Sequence, residues 1–137
     1  MKKLMAGIRS YLLDNLPQLD TVVRKSREDE EIPEIDKFGV SIEFGTSMNY
    51  KDRAKRKETL FFLNCFCHGD EKVKADLDVL ELAEDVAQLM NRADFSTSEL
   101  KIYDCRYTNS PEKPEYKSEL NAFEQIVEIQ VRWTTDV

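Results

Sequence analysis

Hydrophobic positions along the first stretch of the chain fall on one helical stripe. Leu4, Ile8, Leu12 and Leu16 recur every four residues, and Met5 and Leu13 widen the stripe, so the spacing predicts an amphipathic helix from Met1 to Leu16. Pro17 lacks an amide proton and ends it. The β-branched run Thr21-Val22-Val23 predicts a short strand over about 21–25. An acidic segment containing Pro33 follows as a connection.

At Phe38 the period drops to two. Phe38, Val40, Ile42 and Phe44 alternate with Gly39, Ser41 and Glu43, as expected of a strand with one buried face, and Gly45 closes it. Residues 46–58 are polar and basic and read as a long loop, expected to stay extended in the free chain and to order on assembly. Thr59 to Cys67 is a continuous apolar run, which predicts a central strand covered on both faces.

A second helix is predicted from Asp76 to Arg92, with Leu80, Ala83, Val86, Ala87 and Met90 as its buried stripe, widened by Leu77, Leu82 and Leu89. Asp78 with Glu81 three residues on reads as a capping box, and Asp76 is a second candidate cap. After a turn at Asp94-Phe95-Ser96, Leu100 to Tyr107 reads as a strand, followed by a loop with Pro111 and Pro114. The last strand alternates Val127, Ile129, Val131 and Trp133 with Glu128, Gln130, Arg132 and Thr134. Strands that follow one another through loops pair antiparallel. The expected fold is therefore α/β of the α+β type, a mostly antiparallel mixed sheet of four to five strands with two helices packed on one face.

Composition narrows the class. A chain of 137 residues, 41% apolar and 34% charged, fits one folded domain with a heavily charged exterior. No apolar run approaches the ~18 residues of a membrane span. Arg9 interrupts the first apolar stretch and no small-residue cleavage site follows it, so the N-terminal segment is read as part of the fold and not as a secretion signal. Three cysteines, Cys65, Cys67 and Cys105, cannot all pair in one chain, which points to reduced thiols in a cytosolic setting. A net charge of −7 argues against a general nucleic-acid binder.

That charge is uneven. Glu28, Asp29, Glu30, Glu31, Glu34 and Asp36 form an acidic block, and Lys51, Arg53, Lys55, Arg56 and Lys57 a basic one. Blocks of this kind are solvated loops or contacts with a partner. The candidate partner-binding residues are the five bases, with Glu28, Asp29, Glu30 and Glu31 as their acidic counterpart.

Catalysis and metal binding are not expected. Cys65-x-Cys67-His68 has the residue types of a metal site, but in a strand the two thiols face one way and the only histidine the other. The same opposition defeats a Cys–His nucleophile pair. No Gly-Lys-Ser or Gly-Lys-Thr loop is present to cradle phosphate, and no cofactor is expected.

The element order resembles a known family. A helix ends at Leu16-Pro17, and a charged connector leads to the strand Gly39–Phe44 and the apolar strand Leu60–Cys65. An Asp-rich linker then opens the helix Leu77–Met90, and the chain closes with the alternating strand Val127–Trp133. Together they resemble the tail terminator and tail completion proteins of tailed bacteriophages and related tail-like particles. The resemblance implies a mixed α/β fold and a homo-oligomeric ring, a hexamer, that caps the tail tube, ends its growth and presents a docking surface to the neck or head completion proteins. It also implies assembly in the host cytoplasm, residence in the virion tail, and DNA that only passes through the lumen. Six copies at −7 carry about −42, and an acidic ring lets DNA slide without sticking. The alternatives are a neck or head–tail connector subunit, and a cytosolic adaptor or nucleic-acid-binding module using residues 51–57.

Overall fold

In the computed structural model the described residues are 1–24, 38–50, 53–69, 75–109 and 113–136. Helix α1 spans Lys2–Asn15, followed by strands β1 (Thr21–Arg24), β2 (Phe38–Tyr50) and β3 (Arg53–His68). Helix α2 (Asp76–Met90) then leads to β4 (Lys101–Asn109), β5 (Glu115–Lys117), a 3-10 turn at Ser118–Leu120 and β6 (Ala122–Thr134). The strands form one mixed sheet of six in the order β1-β2-β3-β6-β4, with β5 also on β6. All pairings are antiparallel except β1 with β2.

Strand alternation decides which side chains meet the helices. Register places Val40, Ile42 and Phe44 beside Cys65, Leu63 and Phe61, and these beside Gln125, Val127 and Ile129, so they share one face. Against it packs the α1 stripe of Leu4, Met5, Ile8 and Leu12, together with Val79, Leu82, Ala83, Val86 and Met90 of α2. Both helices therefore lie on one side, as the patterning predicts. Near the far end of this core, the indole Nε1 of buried Trp133 donates to Thr59 Oγ1 at 2.9 Å.

Several expectations change. Residues 46–58 are largely strand, not a loop: Ser47, Met48 and Asn49 pair with Thr59, Glu58 and Lys57, and Tyr50 with Arg53. An irregularity between Phe44 and Ser47 bends the strand there. A side chain at Gly45 would meet the Leu60 carbonyl oxygen at 2.9 Å, so the close approach of β2 to β3 requires glycine. β3 is central in the sheet, but among the described residues helices cover one of its faces, and Leu60 and Phe62 on the other are half-buried.

α2 has Ala75 at its N-cap, and neither Asp78 nor Asp76 caps it, because the helix begins at Asp76 and both acids lie in its first turn. Its buried stripe is rotated toward Val79 and Leu82, leaving Leu80 and Ala87 half-buried and Leu77 72% exposed. The helix stops at Met90, and Arg92 takes a left-handed φ of 64°. Strand β5 lies beside Pro114, where a loop is expected. The Asp94–Ser96 turn forms as expected: the Ser96 hydroxyl and amide donate to Asp94, which lowers the pKa of its carboxyl group.

Candidate assembly surface

The face of the sheet away from the helices contributes no side chain of the described residues to the main hydrophobic cluster. Down β3 this face carries buried Phe66 and Asn64, then half-buried Phe62, Leu60, Glu58 and Arg56. Beside them β6 places Glu124, Ile126, Glu128, Gln130 and Arg132, and β2 places Ser41, Glu43 and Met48. Ile126 is 37% exposed and Met48 62%.

The two ends of this face differ in chemistry. Toward the hairpin end it is a polar lattice. Glu58 accepts from Arg132 Nε at 3.0 Å and from the Gln130 amide, and Arg106 pairs with Asp104 at 2.7 Å. At the opposite end apolar groups surround two buried polar ones, Ser41 and Asn64, which are direct register partners. Asn64 donates to Glu43 at 3.3 Å, while among the described residues its Oδ1 and the Ser41 Oγ have no hydrogen-bond partner.

The basic residues named from sequence do not form one patch. Alternation separates Arg56, on the helix-free side, from Lys55 and Lys57. Lys55 pairs with Asp136 at 3.0 Å, the Arg56 guanidinium stacks 4.2 Å from the Tyr103 ring centroid, and the Lys57 ammonium lies 5.9 Å from the Trp133 ring. Lys51, Glu28, Asp29, Glu30 and Glu31 lie outside the described residues, as does the side chain of Arg53.

Edge strands differ as well. The outer side of β4 is closed by the segment after α2. Arg92 N donates to Cys105 O at 2.7 Å, Ser96 Oγ accepts from Ile102 N at 2.9 Å, and Asn91 Oδ1 accepts from Tyr107 N at 3.4 Å. Arg92 holds a left-handed φ of 64° at this point, re-aiming the chain that follows its amide. On β1, Arg9 Nε donates to the Val22 carbonyl at 2.9 Å. These are devices that stop a sheet from recruiting further strands.

The cysteines are all buried free thiols, and His68 is exposed on the opposite side of its strand. Burial, with a smaller contribution from Asp104, pushes the Cys105 thiol up to about 12, and burial raises Cys65 in the same direction. Among the described residues no three His, Cys, Asp or Glu side chains are grouped to hold a metal ion. A shallow groove of about 290 Å3 runs between α2 and β6, lined by Leu80, Ala83, Ala87, Tyr107 and Val127, with Glu84 at its rim.

Sequence reasoning missed the helix-free face, although two signals pointed to it. Asn64 interrupts the apolar run of β3, and Ile126 is out of phase with Val127, Ile129 and Val131. Compared with models of known protein families and with curated protein sequences, the chain matches none.

Proposed function

We propose that this chain is a structural assembly subunit of a phage-type tail, a tail terminator that caps the tail tube as a ring. The observation that carries this reading is the division of the sheet. One face is spent on the chain's own core, and the other carries five acids, Glu43, Glu58, Asp104, Glu124 and Glu128, against three bases, Arg56, Arg106 and Arg132, among Leu60, Phe62 and Ile126. An acidic sheet face suits a ring lumen through which DNA slides, and interspersed apolar groups suit contact with neighbouring subunits. The element order on which the resemblance to tail terminators rests is retained, with β5 added. On this reading the subunit assembles in the host cytoplasm, meets tube protein on one side and neck or head completion proteins on the other, and stays in the virion tail.

The nucleic-acid-binding alternative draws less support, because Lys55 and Arg56 are engaged with Asp136 and Tyr103 and the bases are divided between faces. The test is to add the protein to polymerising tail-tube protein and image the products by electron microscopy. The expected result is a six-fold ring at one tube end, with growth arrested there. Tubes that lengthen unchanged and carry no density at their ends overturn the reading.

A further inference from the structure

We propose that the groove between α2 and strands β4 and β6 takes an amphipathic helix of another protein, one whose apolar stripe is flanked by lysine or arginine. The proposal concerns the free chain and does not rest on the ring reading.

It begins from an apolar phase of α2 that the core leaves over. Val79, Leu82, Ala83, Val86 and Met90 are the residues that α2 buries. Leu77, Leu80, Glu84, Ala87 and Asn91 follow a second stripe, alternately three and four residues apart, which is the spacing of a helix–helix seam. Of its apolar members, Leu80 and Ala87 are half-buried and Leu77 is 72% exposed. Leu80 and Ala87 line the groove of about 290 Å3 together with Ala83, Tyr107 and Val127, and every residue lining it is described. Asn91 also lines it, and its bond from Tyr107 N ties the end of the helix to β4. From Leu80 to Asn91 the groove follows α2 for about 16 Å, or three helical turns. Both helices of the chain pack on this side of the sheet, so an incoming helix continues an existing layer.

Charge selects the occupant. α2 carries Asp76, Asp78, Glu81, Glu84 and Asp85, and no base stands between Asp76 and Met90. Asp85 is engaged by Gln18 at 3.3 Å, whereas Glu81 and Glu84 are exposed and Glu84 lies at the groove itself. No lysine or arginine is among the residues that line it. A second copy docked α2 against α2 sets acid on acid, so the chain is a poor partner for itself here. An amphipathic helix with a basic flank fits both features. Its apolar side chains fill the space beside Leu80, Ala87 and Tyr107, and its bases meet Glu81 and Glu84.

The probe is a fluorescein-labelled helical peptide of leucines and lysines about four turns long, and its counterpart has every lysine replaced by glutamate. The lysine peptide is expected to bind the full chain with an affinity that weakens as salt rises, and the glutamate peptide not to bind. In amide NMR spectra the lysine peptide should move the signals of Leu80, Ala87 and Tyr107 and leave those of Lys3 and Ser10 in place. A87W fills the groove and should raise the Kd about tenfold, and E84K about fivefold. D14K makes the same charge change on the exposed side of α1 and should leave the Kd within about twofold. Glu84 is exposed, so E84K decides the matter even where A87W fails to fold. No binding up to about 1 mM, signals that move only elsewhere, equal weakening by D14K and E84K, or equal binding of the two peptides overturns the proposal. A dimer of the chain that E84K strengthens and A87W abolishes also overturns it, in favour of a second copy.

Discussion

Phe61 and Phe62 are adjacent on β3 and differ in everything but their chemistry. Phe61 points into the helices with no accessible surface, while Phe62 lies half-buried on the face that no helix covers among the described residues. The first belongs to the hydrophobic core, beside Leu63, Ile129 and Val131. The second sits between charged residues, with Glu43 and Glu128 as its register partners. The same sheet is thus fully packed on one side at this level and partly open to solvent on the other.

The sharpest test of that difference is truncation at the two positions. Phe61→Ala should cost about 3–5 kcal/mol of stability by denaturant titration, because a buried aromatic leaves a cavity the helices cannot fill. Phe62→Ala should cost less than about 2 kcal/mol, since water reaches the site. Equal losses would mean that the helix-free face is as tightly packed as the core.

A second pair separates a satisfied hydroxyl from an orphaned one. Thr59→Val strands the buried indole N–H of Trp133 and should cost about 1–3 kcal/mol. Ser41→Ala removes a buried hydroxyl without a partner among the described residues and should be neutral or stabilising by up to about 1 kcal/mol. Substantial destabilisation by Ser41→Ala would show that this hydroxyl is bonded in solution.

Buried thiols give the helix-packed side its own pH signature. The Cys105 pKa rises from 9.0 in the unfolded chain to about 12 in the fold, so above pH 9 the folded state holds a proton that the unfolded state releases. Stability is therefore complete below pH 9 and falls as pH rises toward 12, by about 1 kcal/mol at pH 10 from this group. Cys65 adds to the loss in the same direction. Melting curves of Cys105→Ala should show a shallower alkaline decline than the parent, and an identical decline would remove this cause.

The smallest effect expected is at the closed edge. Arg92→Gly relieves a left-handed residue while keeping the amide that bonds Cys105 O, and should raise stability by about 0.5–1 kcal/mol. A loss instead would show that the Arg92 side chain takes part in closing β4.

Much of the fold is legible where burial imposes a period. The stripe of α1 has one phase and the last strand one alternation, so both are read correctly from the sequence. α2 offers too many apolar phases: Leu77, Val79, Leu80, Leu82, Ala83 and Val86 allow more than one stripe, and only packing against β3 and β6 selects Val79 and Leu82. The end of the β2–β3 hairpin is illegible for the opposite reason. Thr46, Ser47, Met48 and Asn49 are exposed, so nothing forces apolar alternation on a stretch that is strand all the same. The basic run is visible in the chain, but its dispersal over two faces emerges only once that stretch is known to be extended.

The order of strands has a consequence for how the chain reaches this state. β3 sits between β2, its neighbour in sequence, and β6, so that residue 57 pairs with residue 133 and residue 68 with residue 122. The β2–β3 hairpin can close early, whereas the β3–β6 ladder waits for a long loop to close, which slows folding relative to a helical domain of this size. During synthesis β3 must keep its other edge open until β6 emerges from the ribosome. Throughout that interval Phe61, Leu63 and Cys65 lack their β6 neighbours, and the nascent chain carries an unpaired apolar strand, the kind of segment prone to aggregate, at the centre of its future sheet.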